Sequence, residues 1–254
     1  MIEARKVSKE FNKRTNVVAL ENLDLSVRGN EFVSIIGPSG CGKSTFLLIV
    51  AGLESLTSGE IICDGNPVTG PDPKRAIVFQ EYLLFPWQTV RKNIEFGPRV
   101  NGVPADERKK ISDHYLSLVG LQGFENQYPH ELSGGMKQRV AIARALANNP
   151  DVLLMDEPFG ALDALTREML QTELLRIWQS EKCTVLFVTH SISEAIFLSD
   201  RVVIMSSRPG RIISDIRIDL PRPRSRETLF SPEFKEYERT MRKIIWDEVK
   251  FENG

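Results

Sequence analysis

Three short stretches of the chain carry residue types that bind phosphate or activate water. "GPSGCGKST", Gly37 to Thr45, follows the pattern G-x-x-x-x-G-K-[ST]. Glycines at this spacing let backbone N–H groups wrap a phosphate, a lysine adds a point charge, and the following hydroxyl suits magnesium. Gly37, Pro38, Ser39, Gly40, Cys41, Gly42, Lys43, Ser44 and Thr45 therefore form a candidate phosphate cradle, with Ser44 as a metal ligand. Cys41 occupies a variable loop position and reads as a small filler, not a nucleophile. "VLLMDEP", Val152 to Pro158, ends an apolar run on two acids. Buried carboxylates without partners are costly, so a magnesium ion for Asp156 and a water for Glu157 account for them better than a structural role. "LSGGM", Leu132 to Met136, places Ser133, Gly134 and Gly135 directly before an apolar helical pattern. Ser133 as N-cap leaves first-turn N–H groups and the helix dipole to favour an anion; the plainer alternative is an ordinary capped helix.

These stretches need elements to hold them, and the surrounding pattern supplies strands alternating with helices. "EFVSIIG" is a β-branched run ending in glycine, followed by helical spacing in "KSTFLLIVAGL". "DVLLMDEP" and "CTVLFVTH" read as further buried strands, each leading into a helix. "RVVIMSSRPGRIISDIRIDL" reads as a hairpin turning near Pro209 and Gly210. The pattern predicts an α/β fold with a central, mostly parallel sheet. Between the first two buried strands, "ADERKKISDHYLSLVG" and its neighbours predict an inserted helical region, taken as 81–135. The remainder, 222–254, divides into a Pro/Arg linker, "PRPRSRE", and an amphipathic helix with Phe234, Tyr237, Met241, Ile244 and Ile245 on one face. That face is expected to dock on its own domain. The basic run Arg222 to Arg226 reads as a solvated linker, with contact to anionic lipid as the alternative.

Composition narrows the function classes. The chain has 254 residues, 41% hydrophobic and 26% charged, with a formal net charge of -1, so no basic field recommends nucleic acid. Its longest apolar stretch, "FLLIVAGL", is far short of a membrane span, and its N-terminus has no signal-peptide pattern; a cytosolic setting is expected. The three cysteines, Cys41, Cys63 and Cys183, have neither disulfide nor zinc spacing and read as reduced structural thiols. His114 and His130 read as solvated or packing residues.

The "LSGGM" stretch lying before "VLLMDEP", together with the Gly37–Thr45 loop, resembles the ATP-binding subunits of ABC transporters over nearly the whole chain. The resemblance implies a P-loop NTPase fold with a RecA-like, mostly parallel core, an N-terminal antiparallel β region and the helical insertion, all within one ATP-binding domain, 1–254. It also implies a head-to-tail homodimer in which two ATP molecules lie between one subunit's P-loop and the other's Ser133–Gly135 signature. Further residues take roles by resemblance. Gln80 in "VFQEY" matches the glutamine that touches magnesium and the attacking water, Glu157 the general base, and His190 in "VTHS" the switch histidine, whose other reading is mere packing. Asp163 in "GALD" fits the loop that crosses the dimer interface. Phe11 falls where an aromatic stacks on adenine, against a core alternative. Met136 departs from the glutamine common at the signature's fifth position.

With ATP and Mg²⁺ as implied cofactors, the expected reaction is in-line attack of water on the γ-phosphate, without a covalent intermediate. A separate integral membrane permease would supply the channel, and an extracytoplasmic solute-binding protein would act indirectly, with the chain peripheral on the cytoplasmic face of the inner membrane. "EYLLFPWQTVRKNIEFG" and "SSRPGRIISDIRIDLPRPRSRE" are similar to importer ATPases for nitrate, taurine, aliphatic sulfonates and bicarbonate, with thiamine or pyrimidine-precursor importers as relatives. The rival class is a non-transport ABC ATPase of DNA repair or translation, which would need a coiled coil, a DNA-binding surface or two cassettes.

Overall fold

The computed structural model describes residues 1–12 and 16–252, which form two compact units, 1–71 with 184–254, and 72–183. In the first unit, β1 (Ile2–Asn12) and β2 (Asn16–Val27) pair antiparallel, and β4 (Ser58–Cys63) and β5 (Asn66–Pro67) extend them in the order β2-β1-β4-β5. Burial in the second half of β2 alternates residue by residue, the period expected of a strand with one wet face. This is the antiparallel region that the resemblance implies near the N-terminus.

A second layer of the same unit holds the buried runs. β3 (Phe32–Ile36), β8 (Thr184–Val188) and β9 (Arg201–Met205) are parallel, with β3 between the other two, and β10 (Ile212–Arg217) joins β9 antiparallel. Every residue of β3 and β8 is buried, as parallel strands covered on both faces require. Helix α1 (Lys43–Ala51) follows β3 and stops at Gly52, whose φ of 76° and 2.1 Å clearance to the Gly70 carbonyl exclude any side chain. α7 (Ile192–Leu198) follows β8.

The C-terminal helix α8 (Pro232–Glu252) docks on its own unit as expected. Phe234 and Met241 are fully buried, Tyr237, Ile244 and Ile245 half-buried, and the Tyr237 hydroxyl accepts from the Asp219 N–H at 3.1 Å. The preceding linker corrects the sequence expectation. Arg222 forks onto Asp200 at 2.8 Å, and Arg224 is buried, donating to the carbonyls of Ile196, Phe197 and Ser199 that end α7. Two of these arginines are therefore neither solvated nor turned to lipid, because orphan carbonyls at a helix C-terminus attract cations more strongly than water does here. Residues 253–254 of the predicted C-terminal segment lie outside the described residues.

The second unit contains β6 (Arg75–Val78) and β7 (Val152–Asp156), paired parallel, and α2 (Val90–Ile94), α3 (Phe96–Val100), α4 (Ala105–Leu118), α5 (Gly134–Leu146) and α6 (Ala164–Glu181). It contains the predicted 81–135 stretch together with β6, β7 and α6, since β6 and α6 pack on α5 and β7 pairs with β6. Arg139 of α5 meets Glu173 of α6 at 2.8 Å, and Arg144 of α5 donates to the carbonyls of Leu83 and Tyr82 at 2.6 and 3.1 Å. Buried Asn93 holds the 85–89 loop, accepting from the Phe85 N–H and donating to the carbonyls of Phe85, Gln88 and Thr89. Among the described residues, no helix is long and apolar enough to cross a membrane.

Candidate functional site

The predicted site residues fall in both units. In the first, the phosphate-binding loop leaves the carboxyl end of β3 and enters α1. Gly42, at φ 102°, is the N-cap of α1, and a Cβ there would stand 2.7 Å from both the Ala19 carbonyl oxygen and Leu20 Cδ2. Gly40 also turns through a left-handed conformation, φ 76°. Lys43 is buried, its ammonium donating to the carbonyls of Gly37 and Pro38 at 2.9 Å each. The loop thus wraps its own cation at the head of a helix, the arrangement that receives a phosphate. Ser44 is exposed in the first turn. Cys41 is buried, and burial pushes its thiol above the ordinary range, so it is the inert filler expected and not a nucleophile.

His190 belongs to the same edge. β3 and β8 run in register with Ile35 opposite Val188, so two residues on, Gly37 and His190 leave adjacent parallel strands together. The turn at His190 is pinned by its neighbours: Thr189 is buried and bonded to Glu194, the Ser191 N–H donates to Thr189 Oγ1 at 3.0 Å, and Ser191 caps α7. His190 itself is exposed. Phe11, in β1, is half-buried, with the Lys9 ammonium 4.8 Å over its ring.

In the second unit, β6 and β7 pair with Val78 opposite Met155, which sends Gln80 and Glu157 off one strand edge. A side chain on Gly160 would meet Gln80 Nε2 at 3.3 Å and the Glu157 carbonyl at 3.4 Å, so the bare glycine leaves the glutamine amide its place. Asp156 and Glu157 are half-buried. Glu157 has φ 44°, a left-handed backbone that glutamate rarely adopts and that costs on the order of 1–3 kcal/mol, the kind of strain that gathers where a side chain must be aimed.

Ser133 caps α5 as predicted, its hydroxyl accepting from the Met136 N–H at 3.3 Å. The two glycines after it have a packing reason as well. A Cβ on Gly134 would lie 3.0 Å from the Tyr82 hydroxyl, and one on Gly135 2.8 Å from Thr166 Cγ2. Asp163 is the N-cap of α6, accepting from the Thr166 N–H at 3.0 Å; that bond holds its carboxyl below the usual range. His114 is largely solvated, 3.6 Å from Glu181, and His130 stacks on Tyr128, as expected of both.

Ser44, Gln80 and Asp156 offer a hydroxyl, an amide carbonyl and a carboxylate, hard oxygen donors that fit magnesium and not a soft metal. Among the described residues no cluster of three or more His, Cys, Asp or Glu could hold a metal unaided. Sequence reasoning missed Gly160, Arg144 and Arg208. Only the turn signal "SRPG" pointed near Arg208, since its partner lies far away in the chain.

Residues 20–160 match the ABC transporter family model. The chain is 54% identical over 209 residues, 82% of its length and 79% of the relative's, to a nitrate import ATP-binding protein of Synechocystis. It is 48% identical over 242 residues to a taurine import ATP-binding protein of Roseobacter denitrificans, covering 94% of this chain and 90% of that one. A dimeric ATP-binding cassette in a post-hydrolysis state, bound to ADP and Pi, superposes with a TM-score of 0.74 at 33% identity, covering 87% of this chain and all of that one.

Proposed function

The chain belongs to the ABC transporter family, and from that premise we propose that it is the ATP-hydrolysing subunit of an importer for a small anionic or organic solute such as nitrate, a sulfonate like taurine, or bicarbonate. The observation that carries the importer reading is the identity of about half, over most of both chains, to nitrate and taurine import ATP-binding proteins. The ATPase reading is supported by the loop that wraps Lys43 at the head of α1 and by the strand edge that carries Gln80 with Glu157.

In this reading Gly37–Thr45 receives the phosphates, Lys43 turns from its loop carbonyls to the β and γ oxygens, and Phe11 stacks on the base. Glu157 takes the proton of the attacking water, its carboxylate aimed by the left-handed backbone, while Gln80 orients that water. His190 donates toward the γ-phosphate. Ser44, Gln80 and Asp156 would hold magnesium, which when bound neutralises charge on the phosphate oxygens.

A second copy closes the site in the same reading: Ser133, Gly134 and Gly135 of one subunit face the γ-phosphate held by the other, and Asp163 lies along the crossing. The cassette of known structure that this chain resembles is itself dimeric with ADP and Pi bound. Closure on ATP and reopening after hydrolysis would drive a membrane permease, with the chain peripheral at the cytoplasmic face and a solute-binding protein delivering cargo from outside. Nucleic acid has no part in it.

Uptake assays test this. Cells lacking the chain should fail to take up one of labelled nitrate, taurine or bicarbonate, and wild type but not Glu157→Gln should restore it. Unchanged uptake of all three would reject these substrates.

A further inference from the structure

A carbonyl that faces outward from a phosphate cradle leaves the next N–H pointing inward, because the peptide between them is planar and trans. In this chain the carbonyls of Gly37 and Pro38 face the Lys43 ammonium, and those of Gly40 and Cys41 face the turn joining β9 to β10. Arg208 donates from Nε and Nη2 to the Gly40 carbonyl at 3.1 and 2.9 Å. Gly210 sits so close to the next carbonyl that a Cβ there would be 2.1 Å from the Cys41 oxygen. At the loop's start, a Cβ on Gly37 would stand 2.8 Å from the Met205 carbonyl oxygen. Met205 to Gly210 therefore lines the outer face of the loop from its first residue to Cys41.

The turn is itself rigid. The Ser206 hydroxyl lies 2.9 and 3.0 Å from the carbonyls of Ser207 and Pro209, which share its one proton, and accepts from the Arg211 N–H at 2.9 Å. Gly210 exchanges backbone bonds with Ala19 and Glu21 of β2, at 3.0 and 3.1 Å. The Ser207 N–H donates to Glu248 of α8 at 3.3 Å. A frame tied to β2 and α8 thus presents one guanidinium to one loop carbonyl.

We infer that Arg208 is a positioning residue for nucleotide binding: by holding the Gly40 carbonyl it fixes the Gly40–Cys41 peptide, whose N–H donates to the Pro38 carbonyl at 3.4 Å and sets the curve of the loop, while Gly210 against the Cys41 carbonyl leaves the Gly42 N–H turned the other way, toward the phosphates. Arg208 touches neither phosphate nor water in this role. Its guanidinium is exposed and, among the described residues, bonds to the Gly40 carbonyl alone, so its loss should leave the unliganded fold intact while loosening the cradle.

This inference rests on the nucleotide-binding reading, and the experiment separates the two. ATP affinity by calorimetry, KM and kcat for hydrolysis, and thermal unfolding without nucleotide are measured for wild type, Arg208→Ala, Arg208→Lys and Gly210→Ala. Arg208→Ala is expected to raise both Kd and KM for ATP about tenfold, with kcat at saturation within twofold and the nucleotide-free Tm within about 2 °C of wild type. Arg208→Lys, which keeps one donor, should recover part of the affinity. Gly210→Ala should weaken ATP binding at least as much, since its methyl displaces the Cys41 carbonyl. An Arg208→Ala Kd within twofold of wild type overturns the inference alone, as does a fall in kcat with KM unchanged. No ATP binding by wild type overturns the nucleotide reading and the inference with it.

Discussion

Gly135→Ala separates two reasons for a glycine at the head of α5. The new methyl would stand 2.8 Å from Thr166 Cγ2 and 3.8 Å from Leu170 Cδ1 on α6. Carbon atoms pack best at about 3.5–4.0 Å, so the first contact is short by roughly 1 Å and the two helices must part. Overpacking of this kind costs about 1–3 kcal/mol, against about 1 kcal/mol gained from alanine's helix propensity. A net loss of about 1 kcal/mol remains, a fall of about 2–4 °C in Tm for a chain of this size. The assay is thermal unfolding without nucleotide of wild type, Gly135→Ala, Thr166→Ser and the double variant. Thr166→Ser deletes the opposing methyl, so the double variant should recover most of the loss, a coupling of about 1 kcal/mol. If Gly135→Ala costs the same in both backgrounds, α6 does not require the glycine and the packing argument fails.

Arg224→Ala should destabilise the fold by about 3 kcal/mol, since it strips buried charge-assisted bonds from the carbonyls ending α7; a urea-unfolding change under about 1 kcal/mol would contradict this. Burial raises the Cys183 thiol to about 11. The folded state therefore keeps its proton while the unfolded thiol ionises near 8.5, so this stabilising contribution is full below about pH 8.5 and shrinks up to pH 11. Cys183→Ala should flatten the alkaline fall in Tm, and an unchanged slope would refute the assignment. Ser133→Arg, at the exposed head of α5, should block ATP-driven dimerisation while the monomer's ATP affinity stays within twofold; equal loss of both would mean that the signature acts within its own chain.

The strands and helices that hold the site were legible because their cues are local. β3, β7 and β8 are short, mostly apolar runs, β3 and β8 rich in β-branched residues, and Ser133 precedes its helix with a capping side chain. The cradle showed itself through glycine spacing, and two of those glycines do adopt left-handed backbones. What stayed hidden depends on partners remote in sequence. Arg222 and Arg224 looked like a solvated run because nothing local reveals that Asp200 and the end of α7 await them. Arg208 meets Gly40 across 168 positions, and Gly160 makes room for Gln80 across 80; neither distance leaves a periodic trace. The Gly134 and Gly135 pair was read for phosphate alone, since the Tyr82 and Thr166 contacts exist only once α5 and α6 have packed.

The central claim is that Glu157 activates water at an ATP held between two copies of this chain. The most direct test measures ATPase rate and solution mass, with magnesium and ATP, for wild type and Glu157→Gln side by side. Wild type should hydrolyse ATP, whereas the variant should bind it, accumulate as a dimer and turn over at least about a hundredfold more slowly, as loss of a general base requires. Hydrolysis by Glu157→Gln at the wild-type rate, or ATP held by a variant that stays monomeric, would contradict it.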